Sequence, residues 1–338
     1  MKSVLIINTG GTIGMQASKQ GFAPAAGYLS QELPKRLQTY ADKLPQIEVL
    51  EYDPLMDSAN MSPNDWVKIA HDIVKHYDHY DGFLILHGTD TLAYTASALS
   101  FMLENLAKPV ICTGAQLPIG NVRTDAMQNI IDSLLYIQRY EIPEVCIYFD
   151  RELLRGNRTR KTDANRIHAF TSPNYPSLGQ SGVELTLHHT QLLPKPLNAL
   201  QLRLIHHPLI THLNIFPGIS ANILEALLTQ PLNGLVIASY GVGNGPAQNQ
   251  TFLTALRRAT DAGLIIVNVT QCWHGNVDMN NYATGQALAN CGVLSGYDMT
   301  PEAALTKLYY LLSADLTATE VRQKMEHNIR GELTKGQL

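Results

Sequence analysis

The chain has 338 residues, 45% of them hydrophobic and 16% charged, with a formal net charge of −4. That apolar content excludes a disordered chain. The negative balance argues against non-specific binding to nucleic acid or to an anionic membrane, both of which need a positive field. A charged fraction below the roughly 25% of an average soluble domain leaves little surface per residue, and a homo-oligomer is expected. Four cysteines, Cys112, Cys146, Cys272 and Cys291, stand far apart with no CxxC pair, which points to a reducing, cytoplasmic setting. The opening MKSVLIINTGG has a short apolar run and no small-residue cleavage site, so it reads as a first strand and not as a secretory leader. No apolar run approaches the roughly 18 residues that a membrane-spanning helix requires.

Strands and helices alternate from the start. Val4–Ile7 is an aliphatic run of the kind buried on both faces of a sheet, and Val49–Tyr52 is a second strand. Ser62-Pro63-Asn64-Asp65 opens a helix with a serine cap, proline at its first position and an acid in its first turn, running to about His79. Gly82–Leu86 predicts a strand, Thr91–Leu106 a buried helix, Val110–Thr113 a strand, Thr124–Arg139 a helix and Val145–Phe149 a strand. From Arg151 to Gly182 the pattern breaks into loops and hairpin-like pieces. It restarts with strand His212–Phe216, helix Ile219–Leu228, strand Gly234–Ser239, helix Thr251–Ala262 and strand Leu264–Val269. Helices near Pro301–Leu312 and Thr317–Asn328 follow. Such alternation predicts two α/β domains with mostly parallel sheets. The expected division is a larger N-terminal domain at 1–190, a linker at 191–210 around Leu192-Leu193-Pro194-Lys195-Pro196-Leu197, and a smaller C-terminal domain at 211–338.

Ligands of open α/β sheets sit beyond the carboxyl ends of the strands, so the residues following each strand are the candidates. After the first strand comes Thr9-Gly10-Gly11-Thr12-Ile13-Gly14. Its glycines do not fit the GxGxxG fingerprint, and the glycines and proline that follow suit a mobile loop better than the helix a dinucleotide needs. The turn would instead bring backbone close to a small ligand and leave the Thr12 hydroxyl in the cleft. His87-Gly88-Thr89-Asp90-Thr91 delivers a second threonine and a carboxylate to the same edge, although Thr and Asp at a helix start are ordinarily caps. Asp57-Ser58 also follows a strand and offers a partner for an ammonium and a donor for a carboxylate. It equally suits a helix-entry loop.

A threonine nucleophile needs a base. GxSxG is absent, and His87 reads as a packed core histidine. A lysine whose charge is disfavoured by burial can serve, and the returning loop Arg155–Asp163 contains Lys161. Composition alone makes that loop a solvated basic turn. No metal is expected: Asp72, His76 and His79 suit a solvent-facing helix side, and the His188-His189 and His206-His207 doublets lack ligand spacing. Cys112 and Cys272 follow apolar strands and read as inert packing residues.

The segments Thr9–Gly14 and His87–Thr91 together resemble the two signatures of bacterial-type L-asparaginases. Pro54–Ser58, Arg155–Arg158, Ser239–Asn244 and Tyr282–Gly285 resemble the cytoplasmic type I subgroup. The resemblance implies hydrolysis of L-asparagine to L-aspartate and ammonia through an acyl-enzyme, without cofactor or metal. It implies Thr12 as nucleophile and a group of Thr89, Lys161 and Asp90 in which Lys161 helps remove a proton through Thr89. Asp57 and Ser58, with Thr89 and Asp90, would bind the substrate. It further implies a homotetramer of tight dimers, with the C-terminal domain completing a partner's active site. Two departures stand out. The loop tyrosine that assists the nucleophile in secreted relatives corresponds here to Tyr28 or to no residue, since Phe22 takes the other aromatic position. A regulatory asparagine site of some cytoplasmic members keeps Thr270, Gln271 and Cys272, but its arginine is replaced by Ala238, so weak or absent homotropic activation is expected. The amidase component of a tRNA-dependent amidotransferase resembles the same signatures, normally with an extra N-terminal domain, whereas this chain opens at strand one. An amino-acid-binding regulator without catalysis would need the carboxylate and serine but not Lys161, and a nicotinamide oxidoreductase lacks its fingerprint.

Overall fold

The five strand runs expected between Val4 and Phe149 lie side by side in one sheet, with the Val49–Tyr52 run at its edge and only partly buried. In the computed structural model, which describes residues 1–18 and 21–334, these runs are β1 (Ser3–Gly10), β4 (Gln46–Met56), β5 (Gly82–Leu86), β6 (Val110–Thr113) and β7 (Val145–Phe149). All five run parallel, in the order β7-β6-β5-β1-β4. Beyond β7, the strands β8 (Glu152–Arg155), β9 (Gly179–Ser181) and β10 (Leu185–Leu187) extend the sheet antiparallel. Helices α1 (Tyr28–Leu37) and α4 (Ala126–Arg139) cover one face, packing Leu29, Leu33, Ile130 and Leu134 with Val4, Ile6, Leu84 and Ile111. Helix α3 (Leu92–Met102) is buried almost all round, as its apolar composition requires. Helix α2 (Pro63–His76) carries the predicted start, with Ser62 and Asp65 forming a reciprocal capping box.

The chain separates into two units, Met1–Arg203 and Leu204–Leu338. The second has its own parallel sheet of β11 (Ile210–Asn214), β12 (Gly234–Ser239), β13 (Ile265–Thr270) and the short edge Leu294–Ser295. Its core joins Leu224, Leu235, Ile237, Phe252, Leu256 and Ile266. The two-unit α/β architecture with mostly parallel sheets is the one expected.

Three local expectations need correction. The mobile loop expected after the Thr9–Gly14 turn instead holds a hairpin, β2 (Met15–Ser18) on β3 (Gly21–Pro24), and then the start of α1; residues 19 and 20 lie outside the described residues. Helix α1 was hidden by Pro34 within it and Gly27 before it. Buried Leu29, Leu33 and Leu37, each worth about 1.5–3 kcal/mol, outweigh the roughly 3 kcal/mol cost of an interior proline. The helix predicted to reach Leu106 stops at Met102, because Leu103 and Glu104 pair antiparallel with Leu202 and Gln201. The stretch expected as a linker therefore contributes a short strand to the first unit.

Candidate active site

Four turns at the carboxyl edge of the parallel strands pack onto one another. The β1 turn reaches the β5 turn at Gly11, where φ is +89° and a Cβ would lie 2.4 Å from the Gly88 Cα and backbone nitrogen. A Cβ on Gly88 would in turn strike the Ser58 Oγ at 2.4 Å, and one on Gly114 would meet the His87 carbonyl at 2.4 Å and the Thr89 methyl at 3.4 Å. Glycine at positions 11, 88 and 114 is thus what lets the turns bearing Thr12, Asp57-Ser58, Thr89-Asp90 and Gln116 close together. The Thr9 hydroxyl donates to the Leu86 carbonyl at 2.9 Å and fastens the ends of β1 and β5.

Thr89 and Asp90 do not cap α3. The residue before that helix is Thr91, whose hydroxyl donates to the Ser58 carbonyl at 2.8 Å. Thr89 is buried, and its hydroxyl oxygen accepts from the Lys161 Nζ at 2.9 Å. The same Nζ lies 2.7 Å from the Asp90 Oδ1. The Asp90 side chain is 62% exposed, and exposed ion pairs contribute only about 0–1 kcal/mol to folding. The Lys161–Asp90 contact therefore contributes little to folding. Thr12 is half-buried, Ser58 buried and Asp57 exposed, its Oδ1 accepting from the Ala59 amide at 3.1 Å.

The loop that brings Lys161 is not a solvated basic turn. Arg155 and Arg158 are buried. Arg155 pairs with buried Glu144, donates to the Gln191 carbonyl at 2.7 Å and lies over the Tyr175 ring at 4.3 Å, with Arg158 over the same ring at 5.2 Å. Composition concealed this because Glu144, Tyr175 and Gln191 lie outside the basic run itself. From that base the strand pair Arg160–Lys161 with Phe170–Thr171 carries the amine to the edge.

His87 is the packed histidine expected. It is fully buried, with Nδ1 2.6 Å from the Gly88 carbonyl and Nε2 2.8 Å from the Thr95 hydroxyl. A carbonyl only accepts, so Nδ1 bears the hydrogen and Nε2 accepts from Thr95. Burial pushes its titration from 6.5 down to about 4, against weaker opposing pulls from the Gly88 hydrogen bond and Asp65. The unfolded chain then binds the proton first as pH falls, so stability present above pH 6.5 drains away down to about pH 4. The contribution is about 3 kcal/mol. Urea unfolding across that range is expected to show this slope, flattened in His87→Gln.

Tyr28 opens α1 with its hydroxyl beside Gly120 and part of its ring packed on the core, and Phe22 is exposed on the hairpin. Asp72 accepts from the Tyr52 hydroxyl at 2.6 Å, and among the described residues no group of three or more His, Cys, Asp or Glu is placed to hold a metal. Cys112 is buried and pushed up to about 12 by that burial, whereas Cys272, expected as a packing residue, is exposed. Thr270, Gln271 and Cys272 lie at the carboxyl edge of the second unit's sheet. There the Thr270 hydroxyl donates to the Gly241 carbonyl at 2.6 Å and accepts from the Cys272 amide at 3.0 Å. The Gln271 Nε2 donates to the carbonyls of Ile215 and Ala238 at 2.6 and 2.8 Å.

One residue of the first edge has no counterpart among the sequence-based candidates. Gln116 follows β6 across Gly114-Ala115, the same strand-then-glycine signal that marks Thr12 and Thr89. Its Oε1 lies 3.3 Å from the Thr89 hydroxyl.

The edge thus groups a hydroxyl that accepts from an amine, a second threonine on the adjoining turn and the carboxylates of Asp57 and Asp90, hydroxyls together with the kind of group that can take their proton. Residues 3–193 match the family model "Asparaginase, N-terminal" and residues 210–325 "Glutaminase/Asparaginase C-terminal domain". The chain belongs to the asparaginase family. It is 50% identical over 337 residues to L-asparaginase 1 of Escherichia coli, covering 98% of each chain. The crystal structure of L-asparaginase I from Vibrio cholerae superposes with a TM-score of 0.92 at 46% identity, over 99% of each chain. A component of the glutamyl-tRNA(Gln) amidotransferase of Pyrococcus abyssi is 32% identical over 349 residues, with 99% of this chain and 77% of that protein covered.

Proposed function

We propose that this chain hydrolyses the side-chain amide of L-asparagine to L-aspartate and ammonia, with Thr12 as the nucleophile. The observation that carries the reading is the Lys161 amine 2.9 Å from Thr89, on the turn that packs against the turn of Thr12. In its neutral form Lys161 draws a proton through Thr89. The Thr12 oxygen then attacks the amide carbon, the amide nitrogen takes up a proton and leaves as ammonia, and water hydrolyses the resulting ester to release aspartate and restore Thr12. Backbone N–H groups of the glycine turn or of the start of α3 hold the oxyanion, each such donor being worth roughly 3–4 kcal/mol. Asp57 and Asp90 face the substrate ammonium and Ser58 its α-carboxylate. Neither a metal nor a cofactor takes part in this scheme.

Full-length identity of 50% to an L-asparaginase against 32% to the amidotransferase component favours the free amino acid as substrate. We assign the chain to the cytoplasmic type I subgroup, acting as a homotetramer of tight dimers in which the C-terminal domain, 211–338, completes a partner's site; the end of that domain, 335–338, lies outside the described residues. No helix among the described residues is long and apolar enough to cross a membrane. The test is ammonia release from asparagine and from glutamine: asparagine turnover is expected, and its absence in folded protein that binds asparagine would favour the regulator instead. The extra methylene of glutamine discriminates by only about 1–3 kcal/mol.

Homotropic activation through the second asparagine site is expected to be weak or absent. Ala238 is buried and has no guanidinium to pair with a carboxylate, and the Gln271 amide nitrogen is already committed to two backbone carbonyls. Initial rate against asparagine concentration should follow a hyperbola, and a sigmoidal curve would count against this assignment.

A further inference from the structure

We propose that Gln116 is a positioning residue that orients the Thr89 hydroxyl and ties it to the segment following Lys161. This rests on the reading of Thr89 and Lys161 given above and deepens it. Thr89 has one hydroxyl hydrogen. As an ammonium, Lys161 donates to the Thr89 oxygen at 2.9 Å, so the Thr89 hydrogen must point elsewhere, and the Gln116 Oε1 at 3.3 Å accepts it. That contact is long for a hydroxyl donor, whose usual range is about 2.5–3.0 Å. It is sufficient to set the rotor at rest and weak enough to release the hydrogen when neutral Lys161 takes it.

The other end of the same amide is also engaged. The Gln116 Nε2 donates to the carbonyls of Arg166 at 3.0 Å and Ala164 at 3.4 Å, both just beyond Lys161 in the chain. The backbone of Gln116 is itself fixed. Buried Asp125 accepts from the amides of Gln116 and Leu117, each at 3.0 Å, while Asn129 donates to the Gly114 carbonyl at 3.0 Å. One side chain, mounted at the N-terminal end of α4, thus spans the Thr89 turn and the Lys161 loop. Its loss should disturb proton transfer more than substrate binding, since small misplacement of reacting groups can cost about 100-fold in rate.

The test is kcat and KM for Gln116→Met, made in the wild type and in Thr89→Val. In the wild type, kcat is expected to fall roughly 10- to 100-fold with KM held within about threefold. In Thr89→Val the same substitution should change kcat by no more than about twofold, because the hydroxyl it orients is gone. An unaltered wild-type kcat, or an equal loss in both backgrounds, would overturn the proposal. Should Gln116→Met fail to fold, Gln116→Asn, which withdraws the amide by one methylene, carries the same comparison. If Thr89→Val alone leaves kcat intact, the fault lies with the relay itself and not with Gln116.

Discussion

Replacing Thr12 by alanine is expected to lower kcat for asparagine by roughly 10⁴- to 10⁶-fold, the scale on which losing a covalent nucleophile acts. At 1.36 kcal/mol per decade this is about 5–8 kcal/mol of transition-state stabilisation. Folding should be untouched. Thr12 is half-buried, and its short turn is held by a backbone bond from the Gly14 amide to the Gly11 carbonyl at 3.2 Å, which alanine keeps. A change within about 0.5 kcal/mol in unfolding free energy is the expectation for such a site. Ammonia release and urea unfolding on the same preparation check both halves, and retained turnover would move the nucleophile to Thr89.

The second large effect belongs to Lys161. Its side chain is 19% exposed, with Nζ on Thr89 and Asp90. Lys161→Met keeps the apolar stem and removes the amine, so kcat should drop by roughly 10²- to 10⁴-fold, the usual worth of a positioned general base. Lys161→Arg separates the two roles of the amine. A guanidinium can still pair with Asp90 but does not give up its proton in a protein, so it should restore the ion pair without restoring kcat. Arginine activity near that of the wild type would mean that Lys161 acts only as a charge.

The strands were the most legible part of the chain. Gly82–Leu86, Val110–Thr113, Val145–Phe149 and Gly234–Ser239 occur where the aliphatic runs lie, because a central parallel strand must be apolar on both faces. The same topology put forward the polar residues just past strand ends as candidates, Thr12, Asp57, Ser58, Thr89 and Asp90 among them. What escaped depended on partners far away in sequence. Arg155 and Arg158 look like surface cations until Glu144 and Tyr175 are seen beneath them. Gln116 is an ordinary amide until its two ends meet Thr89 and Arg166. Helix α1 was lost to a local signal, Pro34, that three buried leucines override.

The central claim is that a side-chain oxygen of Thr12 becomes acylated. Acid quenching of the enzyme during turnover of asparagine, followed by proteolysis and peptide mass spectrometry, tests it directly. An aspartyl ester on the peptide bearing Thr12 is the predicted result. The same ester on Thr89, or ammonia released in full with no peptide acylated, would contradict it.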